Sequence, residues 1–194
     1  MFIIGLTGPT GSGKSTFAAM LRARGFYVAD GDEAARTVVQ PGSPLLPRLA
    51  EAFGADVLRA DGSLDRKLTA MRAFAAPEAV QTLNALTHPA IESLLFDGIA
   101  QHADCPAAVI DAAALIESGI ADKCDLIAAA LAPRETRLQR IMARDALTRE
   151  QAEARMCAQP DDTFYTDRAD VVLRGYAPYD PESELQKLLK RVPL

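Results

Sequence analysis

The chain has no tryptophan, only two histidines and only three cysteines among its 194 residues. Cys105, Cys124 and Cys157 are odd in number, far apart and without a C-x-x-C pair. This excludes a disulfide framework or a zinc cluster as the organising device, and two histidines leave little for a histidine-built metal site. Positive charge is also short: 21 Lys and Arg against 26 Asp and Glu give a net charge of −5. A broad cationic field for a nucleic-acid backbone is therefore missing, so no nucleic-acid partner is expected. A local basic cluster can still take a compact phosphorylated ligand. No run reaches the about 20 apolar residues of a membrane span. The apolar opening Met1-Phe2-Ile3-Ile4-Gly5-Leu6 yields to turn chemistry at Gly8 with no basic leader, so no membrane partner and a cytoplasmic location are expected.

What is present is an ordinary globular balance, 49% apolar and 24% charged residues, enough for one core with one or two modest insertions. Residues 2–7 read as a short buried strand, 14–24 as a helix closed by Gly25, and 27–30 as a second strand. That order is a βαβ unit and implies a parallel sheet. Residues 31–102 read differently, as helices at 45–53, 64–74 and 78–99, with Pro89 starting a new helix or kinking the old one. Strand character returns at 107–111, 125–131 and 170–173. A basic helix is predicted over 133–145, and Thr148-Arg149-Glu150-Gln151 has capping-box spacing. Asp180-Pro181 opens a terminal helix over 182–191.

Gly8-Pro9-Thr10-Gly11-Ser12-Gly13-Lys14-Ser15 fits G-x-x-x-x-G-K-S/T at every fixed position, between an apolar strand and a helix. The glycines admit positive φ and close backbone approach, and the N–H groups of Gly11, Ser12, Gly13 and their neighbours form an anion nest. The helix starting near Lys14 adds its positive end. Lys14 is placed to reach the β- and γ-phosphates of ATP, the Ser15 hydroxyl to ligate Mg²⁺, and Thr16 to continue the phosphate-binding turn. A dinucleotide fingerprint would need glycine where Thr16 stands. A GTPase would need an N-K-x-D motif, and none occurs.

Asp30-Gly31-Asp32 closes the second strand, at the end of the sheet where α/β proteins bind ligands. Either acid is suited to chemistry or to capping the next helix. Arg137, Arg140 and Arg144 share one helical face, a lid-like phosphate-binding face or a solvated charged one.

The order of these motifs resembles the dephospho-CoA kinase family from the N-terminus to about residue 170. Gly5-Leu6-Thr7-Gly8 through Thr16 resembles its opening. Asp30-Gly31-Asp32-Glu33-Ala34-Ala35-Arg36 followed by Pro41-Gly42 resembles its D-A-D-x-x-A-R segment. Phe53-Gly54, Asp61-Gly62-Ser63-Leu64-Asp65-Arg66, Leu83-Asn84-Ala85-Leu86-Thr87-His88-Pro89, Arg140 with Arg144-Asp145, and Arg155 with Gln159 continue the match. The resemblance implies a three-layer α/β/α P-loop NTPase fold with a parallel sheet, a helical substrate-binding insertion and a helical lid. The core would comprise 1–31, 105–132 and 160–194, the insertion 32–104 and the lid 133–159. It further implies an ATP-dependent kinase of dephospho-CoA, the small-molecule partner. Asp32 would be the base for the ribose 3′-hydroxyl. Lys14, Arg140 and Arg144 would act on the phosphates. Arg66, His88, Leu115 and Glu117 would face the substrate, and Ser15 and Asp111 the metal.

Two segments depart from the family pattern. Ala113 and Ala114 replace Pro and Leu in Asp111-Ala112-Ala113-Ala114-Leu115-Ile116-Glu117, and Arg174-Gly175 replaces a D-N pair. These changes keep two alternatives open: another small-molecule P-loop kinase, of nucleoside or nucleotide type, and a nucleotide-binding regulator that has lost catalysis.

Overall fold

The computed structural model describes residues 1–193 and divides the chain into two compact units, Met1–Ala29 with the residues from Gln101 onward, and Asp30–Ala100.

The first unit is built on a five-stranded parallel sheet: β1 (Ile3–Thr7), β2 (Tyr27–Asp30), β3 (Ala108–Asp111), β4 (Leu126–Leu131) and β5 (Val171–Arg174), in the order β2-β3-β1-β4-β5. The central β1 pairs with β3 through Leu6 and Asp111 and with β4 through Leu6 and Ala128. Its residues alternate between two covered faces. Ile4 and Leu6 join a core with Phe17, Leu21, Leu185 and Leu188, supplied by α1 (Lys14–Arg22) and by the C-terminal α9 (Pro181–Leu189, as numbered below). Gly5 faces the other way, where Leu115 lies so close that a Cβ would stand 2.6 Å from its Cδ2. Burying side chains of this kind stabilises by roughly 1.5–3 kcal/mol each.

The second unit holds α2 (Gly31–Thr37), α3 (Leu45–Phe53), α4 (Arg66–Ala73) and α5 (Pro77–Ala100). Leu45, Leu49, Phe53, Val57 and Ala73 form its core, with Leu68, Leu83, Leu86 and Ala90 packed against them. Arg72 ties α4 to the preceding turn through paired 2.6 Å bonds to Asp56. The sequence predicted a new helix or a kink at Pro89; no new helix starts there, and α5 is one helix of 24 residues with Pro89 inside it. Leu83, Leu86 and Ala90 pack on the same core from both sides of Pro89. That packing offsets the about 3 kcal/mol cost of an internal proline.

Back in the first unit, β4 is followed by α6 (Arg134–Asp145), α7 (Arg149–Cys157) and α8 (Asp162–Thr166). The pair α6 and α7 closes over Leu138, Ile141, Ala152 and Met156. Ala146, at φ 52°, ends α6, and the expected Thr148–Gln151 capping box starts α7. Asp162–Thr166 make α8 a short helix of five residues. Asp161 caps it by accepting the Phe164 N–H at 3.1 Å, and Tyr165 is fully buried. Among the described residues no helix is long and apolar enough to cross a membrane.

Candidate active site

The loop between β1 and α1 turns on three glycines with positive φ, Gly8 at 141°, Gly11 at 77° and Gly13 at 96°. A side chain at Gly8 would run into the Ala130 carbonyl of β4, and one at Gly13 would meet the Gly175 carbonyl at 3.3 Å. Only glycine meets both demands. The turn is closed by Ser12 N–H donating to Pro9 O at 3.1 Å, and Thr16 N–H donates to Gly13 O at 3.0 Å. Gly11, Ser12 and Gly13 thus lead directly into the first turn of α1, whose N–H groups have no intrahelical acceptor. Ser12 is buried and its Oγ has no hydrogen-bond partner. Ser15 and Thr16 are exposed at the helix start.

Lys14 forms an ion pair with Asp111, the last residue of β3. The register that sets Leu6 beside Asp111 carries the acid to the end of the sheet from which the loop departs. The next segment is fastened there as well, since Thr7 Oγ donates to Ala113 O at 3.2 Å. Leu115, expected at a substrate surface, is fully buried over Gly5 and supports this segment from beneath. An apolar side chain there fills the space that glycine leaves. Glu117 is exposed. Burial, with the Glu117 charge adding to it, pushes the Tyr165 hydroxyl up to about 12.

Arg137, Arg140 and Arg144 of α6 do different things. Arg140 donates to the carbonyls of Gly11 at 3.1 Å and Gly175 at 2.5 Å, joining the loop to the end of β5. Arg137 pairs with Asp162 at 3.0 Å, which gives that acid a structural role. Arg144 is exposed and grips Asp145 through two 2.8 Å bonds, with Arg155 on the same carboxylate at 2.6 Å. Hydrogen bonding to Arg144, aided by the charges of both arginines, holds Asp145 below the usual carboxylate range.

In the helical unit, Asp30 is the helix cap: its side chain accepts the Glu33 N–H at 2.9 Å. Asp32 lies exposed in the first turn of α2, not used as the cap. Arg66 is exposed at the start of α4, and His88 is half-buried inside α5 rather than capping a break.

The loop fits a nucleotide's phosphates: a glycine cradle, a lysine, a helix start and a buried orphan hydroxyl converge on one concave turn. Among the described residues no three His, Cys, Asp or Glu side chains gather as a metal site. The oxygen-bearing side chains by the loop, Ser15 at the start of α1 and Asp111 paired with Lys14, are of the donor type that hard cations take.

A family model described as dephospho-CoA kinase matches residues 2–178. The chain is 45% identical over 177 residues to the dephospho-CoA kinase of Anaeromyxobacter dehalogenans, covering 90% of this chain and 84% of that one. It is 39% identical to the dephospho-CoA kinase of Geobacter sulfurreducens over the full length of both. This chain belongs to the dephospho-CoA kinase family. A solved Thermus thermophilus structure superposes with a TM-score of 0.83 at 33% identity, covering 98% of this chain and 95% of that one. A shikimate kinase from Acinetobacter baumannii, at TM-score 0.55 and 17% identity over 98% and 92% of the chains, shares the fold.

Dephospho-CoA kinases use ATP, and two residues of this member bear on its nucleotide loop without having been assigned a role from sequence. Gln159 accepts the Thr10 N–H at 2.8 Å, and Gly175 abuts Ser12 so closely that a Cβ would stand 2.5 Å from the Ser12 carbonyl. The only sequence signals were the spacing of Gln159 from Arg155 and the departure at Arg174-Gly175. Where the family has its D-N pair, Gly175 permits that contact, and the Arg174 guanidinium lies over the Tyr179 ring at 4.8 Å.

Proposed function

We propose that this protein transfers the γ-phosphoryl group of ATP to the ribose 3′-hydroxyl of dephospho-CoA, giving coenzyme A and ADP, the last step of coenzyme A synthesis. The observation that carries the reading is the Lys14–Asp111 pair at the mouth of an intact phosphate loop, in a chain that matches one kinase family almost throughout.

ATP would supply the phosphoryl group, and Mg²⁺ would supply positive charge that offsets the charge of the transferring phosphate. Ser15 and Asp111 would hold that cation, and Lys14, now paired with Asp111, would neutralise phosphate charge. The loop amides around Gly11, Ser12, Gly13 and Thr16 fix the remaining oxygens. Asp32 accepts the 3′-hydroxyl proton as the new O–P bond forms and the bond to the ADP oxygen breaks. Such base assistance is typically worth about 10²–10⁴ in rate. Arg144 binds the transferring group. Arg140 holds the loop in shape and so contributes through position. Residues 133–159 serve as the lid that excludes water, and 32–104 as the acceptor-binding unit through Arg66 and His88, with Glu117 of the core as a further acceptor-binding residue.

The test is a product assay. With ATP and Mg²⁺, dephospho-CoA should yield equimolar coenzyme A and ADP, while adenosine, nucleoside monophosphates and shikimate should yield little. Turnover of one of those acceptors in place of dephospho-CoA overturns the reading, and tight ATP binding without any product favours a regulator.

A further inference from the structure

We infer that Gln159 is a positioning residue of the nucleotide site, setting the shape of the phosphate loop by holding the Thr10 amide. The side-chain oxygen of Gln159 accepts the Thr10 N–H at 2.8 Å across 149 residues of sequence. The two groups are partly buried, where an unpaired N–H is costly. Thr10 lies inside the Pro9–Ser12 turn, so its amide is directed out of the turn that the Ser12 N–H closes on Pro9 O. One residue later, Arg140 donates to the Gly11 carbonyl at 3.1 Å. The backbone around Thr10 and Gly11 is thus held by its donor from Gln159 and by its acceptor from Arg140.

Gln159 is itself a rigid acceptor. It stands just past α7, with its own N–H donating to Met156 O at 3.2 Å. Pro160 follows, and then Asp161 caps α8 while Asp162 pairs with Arg137. The Arg137 backbone closes on the loop from the same side: a Cβ at Gly11 would stand 2.7 Å from the Arg137 carbonyl. Fixing the turn in advance removes an ordering cost that phosphate binding would otherwise carry. It also aims the amides that follow, from Gly13 onward, at one point. The effect acts through the loop, so it falls on the nucleotide and not on the acceptor.

The inference rests on the nucleotide reading of residues 8–15, and the test separates the two. Amide hydrogen exchange at Thr10 is measured in the ligand-free protein, together with KM for each substrate, in Gln159→Met and Gln159→Glu. Methionine has similar reach but no comparable acceptor; glutamate keeps the acceptor and adds charge. Gln159→Met should speed Thr10 exchange and raise the ATP KM about tenfold, the scale of one hydrogen bond lost with its donor left unpaired. The dephospho-CoA KM should stay within about twofold. Gln159→Glu should keep Thr10 protected even if its charge weakens ATP binding. That variant carries the test by itself if the methionine variant does not fold. Unchanged Thr10 exchange in Gln159→Met, loss of protection in Gln159→Glu, or equal rises in both KM values overturns the inference. Failure of the unaltered protein to bind ADP overturns the nucleotide reading instead, whatever the exchange shows.

Discussion

The Lys14 ammonium sits on the Asp111 carboxylate, so the phosphate loop after β1 is tied to the end of β3 by the two residues proposed for phosphate and metal. In the proposed mechanism, nucleotide entry exchanges this pair for Lys14–phosphate and Asp111–cation contacts. We predict that Lys14→Ala lowers turnover by about 10²-fold or more, on the scale of one stabilising donor lost from a transition state. Asp111→Asn should shift the Mg²⁺ concentration for half-maximal rate upward at fixed ATP. A Mg²⁺ titration of initial rates checks this, and an unchanged midpoint would remove Asp111 from the metal site.

Asp30 caps α2, while Asp32 is the proposed base. Asp30 accepts the Glu33 N–H and caps α2, so Asp30→Ala should cost about 0.5–2 kcal/mol of stability. Exposed Asp32 is not the cap, and Asp32→Asn should leave the melting temperature nearly unchanged while cutting turnover by about 10²–10⁴. Thermal melts and single-turnover rates on both variants decide. Equal losses of stability in the two would return Asp32 to a structural role.

Which of the two acids caps α2 was not legible from position alone, because both stand at positions a cap can occupy. The local elements were legible where one physical rule dominates: apolar strands, the glycine loop before Lys14 and the Thr148 capping box. At Pro89 the sequence left two outcomes open, since the proline's cost is local while the packing of Leu83, Leu86 and Ala90 that offsets it is tertiary. The arginines were placed on the right helix, but spacing does not disclose that Arg140 ends on two backbone carbonyls and Arg137 on Asp162. Gln159 and Gly175 escaped for the same reason: each acts on the loop from more than 140 residues away in sequence.

Gly175 reports how tightly the end of β5 is fitted to the loop. Its carbonyl accepts from Arg140, and a Cβ there would stand 2.5 Å from the Ser12 carbonyl, a contact that backbone must relieve by moving. Gly175→Ala should therefore raise the ATP KM several-fold and cost about 1–3 kcal/mol of stability, the usual range for overpacking. Calorimetric ADP binding beside a denaturant melt measures both, and an unaffected ADP affinity would show that the loop does not feel this neighbour.

The cysteines give a pH test of the core. Burial, with the Asp125 charge adding to it, pushes the Cys124 thiol up to about 12 from 9.0, whereas Cys157 is exposed. A raised folded-state pKa means that the protonated thiol is the one the fold accommodates. Its contribution to stability is complete below pH 9 and is lost as pH rises from 9 toward 12. At pH 8 a thiol reagent should modify Cys157 quickly and Cys124 only on unfolding. Mass mapping of the modified peptides checks this, and early labelling of Cys124 would contradict its placement.

Arg140 and Arg144 were grouped by spacing and are set apart by what they touch. Arg140 bonds two backbone carbonyls, one in the phosphate loop. Removing it in Arg140→Ala should cost about 2 kcal/mol or more of stability and raise the ATP KM, because charged donors to buried acceptors are worth about 1.5–3 kcal/mol. Arg144 is exposed and shares Asp145 with Arg155, so Arg144→Ala should cost less than about 1 kcal/mol. Its loss should appear in kcat, because an arginine that meets the transferring phosphoryl group acts mainly in the transition state. Melting curves and steady-state kinetics on both variants distinguish the roles. A destabilised Arg144→Ala with normal kcat, beside a stable but slow Arg140→Ala, would exchange the assignments and make Arg140 the group that acts on the phosphoryl.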